Sequence, residues 1–141
     1  FILGPADHQK SVEFHEELTA NAEKILIALD IPYRVIALCG GDLGRAHVKT
    51  YDIEVWIPSE GRFRESHSSS YYHDFQARRF NIRYRDGAGK LQFCHSLNNT
   101  AIATPRILIS ILENYQNEDG TVTVPDVLRK YIGKDKIEKN K

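Results

Sequence analysis

Along residues 11–29 the apolar side chains Phe14, Leu18, Ala22, Ile25 and Leu29 recur at steps of three and four. That period is one face of an α-helix, and it predicts an amphipathic helix over this stretch. Pro32 ends it, because proline disfavours helical geometry in the residue before it. Residues 33–39 read as a buried strand, and Gly40, Gly41 and Gly44 mark a loop. The period then changes to two. Tyr51, Ile53, Val55 and Ile57 fall on one face and Asp52, Glu54 and Trp56 on the other, which predicts a strand. A turn at residues 58–61 leads into a second strand from Arg62 to about Glu65, antiparallel to the first. The polar stretch 66–70 is expected to be irregular.

Residues 79–85 and 91–97 flank Asp86-Gly-Ala-Gly89, a hairpin signal. Residues 105–116 carry Leu108, Ile111, Leu112 and Tyr115 on one stripe, predicting a second helix. The lysine-rich stretch 133–141 is expected to fray. No repeat or low-complexity linker divides the chain, so residues 1–141 read as one unit. The order of helix, strands and helix predicts an α+β fold, an antiparallel sheet covered by helices on one side.

Composition narrows the function classes. Nineteen basic residues balance nineteen acidic ones, which argues against a domain whose main business is gripping nucleic-acid backbone. Cys39 and Cys94 fit no CxxC pattern and read as free thiols of a reducing compartment. No apolar run approaches the roughly 18 residues of a membrane span. The beginning, Phe1-Ile-Leu-Gly-Pro-Ala-Asp7, lacks the basic region and cleavage site of a signal peptide. With no Met anywhere, the chain is expected to be a piece of something longer.

Several residues could carry chemistry. Thr104 suits a helix N-cap and Pro105 the first helical position. Arg106 then falls in the first turn, where the helix dipole disfavours a cation. A bound anion would make sense of it, since helix N-termini also bind phosphate. Pairing with a nearby carboxylate would serve equally. Asn98 and Thr100 lie where a strand enters that helix, positioned to hydrogen-bond a small polar ligand or to make ordinary turn contacts. Glu65 and Ser68 offer hard oxygens to Mg²⁺, but their spacing puts them on opposite faces of a regular strand, so joint ligation requires a bulge. Arg62, Arg64, Arg78, Arg79, Arg83 and Arg85, interleaved with Tyr71, Tyr72, Phe80 and Tyr84, read as a salt-bridged surface or as a nucleic-acid face. His67 and His73 lack zinc spacing, and the glycine loop is neither a P-loop nor a dinucleotide fingerprint.

The order of the motifs is more specific than any one of them. Gly41-Asp-Leu-Gly44, Lys49-Thr-Tyr-Asp-Ile-Glu-Val-Trp-Ile-Pro58, Arg64-Glu65, Asp74-Phe-Gln-Ala-Arg-Arg79, Leu97-Asn98-x-Thr100, Arg106 and Leu112-Glu-Asn-Tyr-Gln116 follow one another along the chain. This succession resembles the C-terminal part of the catalytic domain of the seryl-tRNA synthetases, class II aminoacyl-tRNA synthetases. The resemblance implies an ATP-dependent activation of serine followed by transfer to tRNA(Ser) in the full-length enzyme, a cytoplasmic homodimer. It implies ATP contacts at Glu65, Ser68 and Arg106, Mg²⁺ at Glu65 and Ser68, and a serine pocket lined by Asn98 and Thr100. It names no residue as a general acid or base, because such catalysis is mainly positioning and charge stabilisation. It also implies that two upstream motifs of the domain lie outside this chain, leaving a partial site. The family commonly has Ile-Ser-Ser-Cys-Ser-Asn after its glutamate, whereas this chain has Ser66-His-Ser-Ser-Ser-Tyr71. Asn99 stands where glycine is usual. Two further readings stay open: a non-catalytic synthetase-like binding module, and a free-standing RNA-binding module built on the arginines.

Overall fold

The computed structural model describes residues 1–138. A five-stranded antiparallel sheet organises the chain. Its strands are β1 (Ile2–Gly4), β2 (Tyr33–Ala37), β3 (Lys49–Ile57), β4 (Arg62–Tyr71) and β7 (His95–Asn99), in the spatial order β1-β7-β4-β3-β2. Helices α1 (His8–Ala28) and α3 (Thr104–Asn114) pack on one face. The short helix α2 (Phe75–Phe80) lies at the β7 end of the opposite face, and a small hairpin, β5 (Arg83–Arg85) with β6 (Leu91–Phe93), extends from it. The chain closes with β8 (Val122–Thr123), α4 (Asp126–Ile132) and β9 (Lys136–Ile137). This is the predicted α+β arrangement, with α2 added on the second face.

Helix α1 starts three residues earlier than its apolar period suggests, because Asp7 caps it by accepting the Lys10 N–H at 3.0 Å. Its buried face also differs. The residues it hides most fully are Ser11, His15, Thr19, Ala22 and Leu26, rather than the stripe of Phe14, Leu18, Ile25 and Leu29 alone. The reason lies across the interface. Strand β4 presents buried Ser69 to the helix, and the Ser69 carbonyl accepts from His15 Nε2 at 2.9 Å while Thr19 Oγ1 donates to its hydroxyl at 3.1 Å. Polar strand and polar helix face hydrogen-bond to each other, as most buried polar groups do, leaving His15 Nδ1 without a partner among the described residues. Further along, Ala22, Leu26, Leu29, Ile53, Val55, Ile57 and Ile107 form an ordinary apolar core.

Other boundaries differ from the periodicity as well. The expected strand 79–85 is cut short, because Arg79 and Phe80 complete α2. Asn81 ends that helix in left-handed geometry, a conformation asparagine tolerates. Helix α3 buries Ile107 and Ser110 and leaves Leu108 and Leu112 exposed, a rotation fixed by Ser110 Oγ and Asn114 Nδ2 both donating to the Trp56 carbonyl. The stretch expected to fray instead pairs at Lys136–Ile137 with Val122–Thr123; residues 139–141 lie outside the described residues. Cys39 and Cys94 are free thiols.

Candidate functional site

The polar stretch 66–70 is an ordered part of β4, and it contains the feature that builds the site. Along β3 and β4, Ile53 stands opposite His67 but Glu54 stands opposite Glu65. Ser66 therefore has no partner and forms a β-bulge. Its hydroxyl donates back to the Ile53 carbonyl at 3.1 Å and lies 2.6 Å from His67 Nδ1, so the extra residue is anchored. Simple alternation would send Glu65 and Ser68 to opposite faces. The bulge resets the count and brings them to one.

That face is polar along its length. The register places Thr50, Asp52 and Glu54 of β3 with Glu65, Ser68 and Ser70 of β4 and Asn98 of β7. Thr50 Oγ1 and Ser70 Oγ hydrogen-bond at 2.7 Å. Thr100 follows β7 and donates its N–H to the Ser68 carbonyl at 3.1 Å, so Asn98, Thr100 and Ser68 are neighbours although Ser68 and Asn98 are 30 positions apart in sequence. The bulge also sets α3: Ala103 donates its N–H to the Ser66 carbonyl at 3.0 Å. Ala103, not Thr104, is the N-cap residue, with Thr104 and Pro105 in the first turn.

Arg106 consequently lies over Glu65. Its Nη1 donates to the Glu65 carbonyl and stands 3.4 Å from the Glu65 carboxylate. Glu65 supplies the nearby carboxylate expected for this first-turn cation. Both side chains remain about half exposed, 52% and 46%, so the pair is worth under about 1 kcal/mol and is readily exchanged for a ligand.

Two recesses meet at Glu65. A cleft of about 540 Å³ is bordered by Glu54, Phe63, Arg64, Glu65, Arg106 and Ile109. A smaller pocket of about 240 Å³ is lined by Asp42, Gly44, His47, Thr50, Asp52, Glu65 and Ser68. The glycine loop forms its wall. A Cβ at Gly44 would lie 2.8 Å from His47 Nδ1, so a side chain there would force the His47 ring to shift. Asp52 lies at the pocket's floor with its Oδ1 buried and without a partner among the described residues. Burial pushes the Asp52 carboxyl up; the Ser68 hydroxyl opposes this, and Glu65 and Glu54 add to it. An unpartnered buried carboxylate oxygen beside a glutamate and a hydroxyl is a surrounding suited to a hard cation. Among the described residues no three His, Cys, Asp or Glu are arranged to hold a metal by themselves. Mg²⁺ commonly takes only one or two protein carboxylates and completes its shell with phosphates and water, so Glu65 and Ser68 fit it.

Of the five residues singled out in the sequence, Glu65, Ser68 and Asn98 share one face of the sheet, Thr100 joins them through its backbone, and Arg106 reaches Glu65 from α3; Asn98 and Thr100 line neither recess. Asp52 and Glu54 were not singled out, although their signal was present as the polar face of an alternating strand. Asp42 appeared only within the Gly41–Gly44 motif and His47 gave no signal, because a loop acquires its neighbours only on folding. Among the described residues no helix is long and apolar enough to cross a membrane.

The family described as "tRNA synthetase class II core domain (G, H, P, S and T)" matches residues 2–115. The serine–tRNA ligase of Deinococcus radiodurans is 54% identical over 133 residues, 94% of this chain and 31% of the relative. That of Fervidobacterium nodosum is 55% identical over 130 residues, covering 92% and 30%. Among solved structures, seryl-tRNA synthetase from Pyrococcus horikoshii complexed with ATP superposes with a TM-score of 0.92 at 48% identity, over 99% of this chain and 31% of that one. Cytoplasmic serine–tRNA ligase from Naegleria fowleri in complex with AMP gives 0.89 at 38% identity, over 99% and 33%. This chain spans about a third of the length of these proteins. With the polar face and its cleft built on the same strands, the chain belongs to the class II tRNA synthetase core-domain family, in which its relatives are serine–tRNA ligases.

Proposed function

We propose that this chain carries the ATP and serine subsites of a serine–tRNA ligase that activates serine as seryl-adenylate and transfers it to tRNA(Ser). The observation that carries this is the place of Glu65, which the Ser66 bulge puts on the same face as Ser68 and which borders both recesses, one shared with Arg106 and the other with Ser68. The two solved relatives named above hold ATP and AMP. Arg106 leaves Glu65 and forks onto nucleotide phosphate, for which a guanidinium is geometrically matched. Glu65 and Ser68 would hold Mg²⁺, which would supply positive charge to the phosphates. Asn98 and Thr100, beside Ser68, hydrogen-bond serine and hold its carboxylate toward the α-phosphorus. The carboxylate oxygen bonds to that phosphorus, the bond to the β-phosphate oxygen breaks and pyrophosphate departs. A terminal tRNA hydroxyl then takes the seryl group and AMP leaves. None of this chain's residues needs to move a proton in the first step; positioning and charge stabilisation carry it. The whole enzyme is a cytoplasmic homodimer in this reading, with the remaining site residues elsewhere in its length.

The test is serine-dependent ATP–pyrophosphate exchange by the full-length protein. We expect exchange with serine and a loss of at least tenfold, roughly 1.4 kcal/mol, on Glu65→Gln or Arg106→Ala. No exchange from a folded full-length protein would sink the reading and leave a non-catalytic binding module.

A further inference from the structure

The structure sorts the chain's middle arginines into two groups. Arg62 and Arg64 are both paired with the single carboxylate of Glu60, at 2.8 and 2.6 Å. Arg79, Arg83, Arg85 and Lys90 form no ion pair among the described residues. All four are exposed, and all belong to the arm made by α2 and the β5–β6 hairpin. Residues 74–93 hold five cationic side chains against two carboxylates, in a chain of zero net charge. Both carboxylates are engaged within the arm: Asp74 pairs with Arg78 at 2.6 Å, and Asp86 accepts the N–H groups of Ala88 and Lys90 in the hairpin turn.

Aromatic rings are interleaved with these charges. The guanidinium carbons of Arg78 and Arg83 lie 4.9 and 4.5 Å from the centre of the Phe93 ring, and that of Arg79 lies 3.3 Å from Phe75. Phe80 is 75% exposed at the end of α2, an unusual position for a phenylalanine unless it is covered by something. In the hairpin, Arg83 stands opposite Phe93 and Arg85 opposite Leu91, so the charged and apolar groups share one face. Tyr84 points to the other face and accepts the Ala6 N–H at 2.9 Å. Fixed guanidinium planes, an exposed ring and surplus positive charge are what a single-stranded nucleic acid uses, for backbone and bases respectively.

The arm's place in the fold gives this surface a purpose. Gln76 of α2 accepts from Ser96 Oγ at 2.7 Å. Asn98 is two residues further along β7 on the same face, about 7 Å away by strand rise. The arm therefore borders the end of the face where the amino acid is proposed to bind, and where the end of an acceptor RNA must arrive. We propose that α2 and the β5–β6 hairpin form a docking surface for single-stranded RNA at the 3′ end of the acceptor. This rests on the synthetase reading for its partner, but RNA binding is read without ATP or serine. Its failure would therefore leave pyrophosphate exchange untouched, and failure of exchange would leave the RNA isotherm readable.

The experiment is fluorescence anisotropy with the full-length protein and a labelled RNA hairpin, with or without a short single-stranded 3′ overhang, over a range of salt. The overhang should tighten binding. Arg79→Gln with Arg83→Gln should weaken the overhang complex by about tenfold or more, and lower the salt slope by about 0.7 for each lost phosphate contact. Phe80→Ala should weaken it with an unchanged slope, because stacking releases no counterions. Arg62→Ala, which removes one positive charge elsewhere, should change little. Arg85→Gln and Lys90→Gln at the hairpin tip test the same slope should the α2 variants fail to fold. Absent binding, no preference for the overhang, or equal losses from Arg62→Ala would each overturn the proposal. A surface that holds another protein instead would appear as the second of these.

Discussion

Glu65 and Ser68 are three residues apart on β4 and yet border the same pocket, because Ser66 between them has no partner on β3. The shared face is a consequence of one extra residue. Glu65→Gln and Ser68→Ala should each weaken Mg²⁺-dependent ATP binding by about tenfold, near 1.4 kcal/mol. Glu65 is half exposed and its ion pair with Arg106 contributes little. Urea unfolding of Glu65→Gln should therefore match the parent within about 1 kcal/mol, and calorimetric titration with ATP should separate the two effects.

Arg106→Lys keeps the charge and loses the fork. If the guanidinium grips phosphate through two parallel N–H groups, lysine should lower nucleotide affinity by about tenfold or more. A lysine variant that binds ATP as tightly as the parent would show that only the charge matters at this position. Thermal unfolding should be nearly unchanged, since the contacts to Glu65 lie at the surface.

Two buried imidazoles make stability depend on pH. His15 stacks on Tyr51 at 4.9 Å and is held below its ordinary value chiefly by burial. His67 is held down by the same cause. A lowered folded-state value means the unfolded chain binds more protons, so this stability is complete above the ordinary histidine value of about 6.5 and is lost as pH falls through the folded-state value. Urea midpoints should drop between pH 7.5 and 5, and His15→Gln should flatten part of that slope.

Asp52 acts in the opposite sense. Its carboxyl is raised, chiefly by burial, so its contribution is present below the ordinary carboxylate value and lost as pH rises through the folded-state value. Asp52→Asn should consequently raise the stability of the ligand-free chain at pH 7 while weakening its affinity for Mg²⁺. A variant that loses stability at pH 7 would mean that the carboxylate is satisfied by the surrounding chain.

Leu26 is completely buried among Ile53, Val55 and Ile107. Leu26→Ala should cost about 2–5 kcal/mol of unfolding free energy, measured by urea denaturation.

Much of this molecule was legible in the order of its residues. The alternation from Tyr51 to Ile57 determined β3 and its two faces, because period two admits only a strand. Pro32 and the glycines placed the breaks, and the succession of motifs named the family and five candidate site residues. Local pattern misjudged residues whose environment is set from a distance. The run of serines in β4 looked like a loop, since nothing in it announces that His15 and Thr19 of α1 will satisfy it. Helix α3 has apolar residues on several sides, and only its bonds to the Trp56 carbonyl decide which side is buried. The pairing of Glu65 with Ser68 was beyond sequence for a sharper reason. A bulge is a mismatch between two strands, and a mismatch exists only once both are in register. The sequence by itself determined which groups this chain offers to a ligand; folding decided that they face the same way.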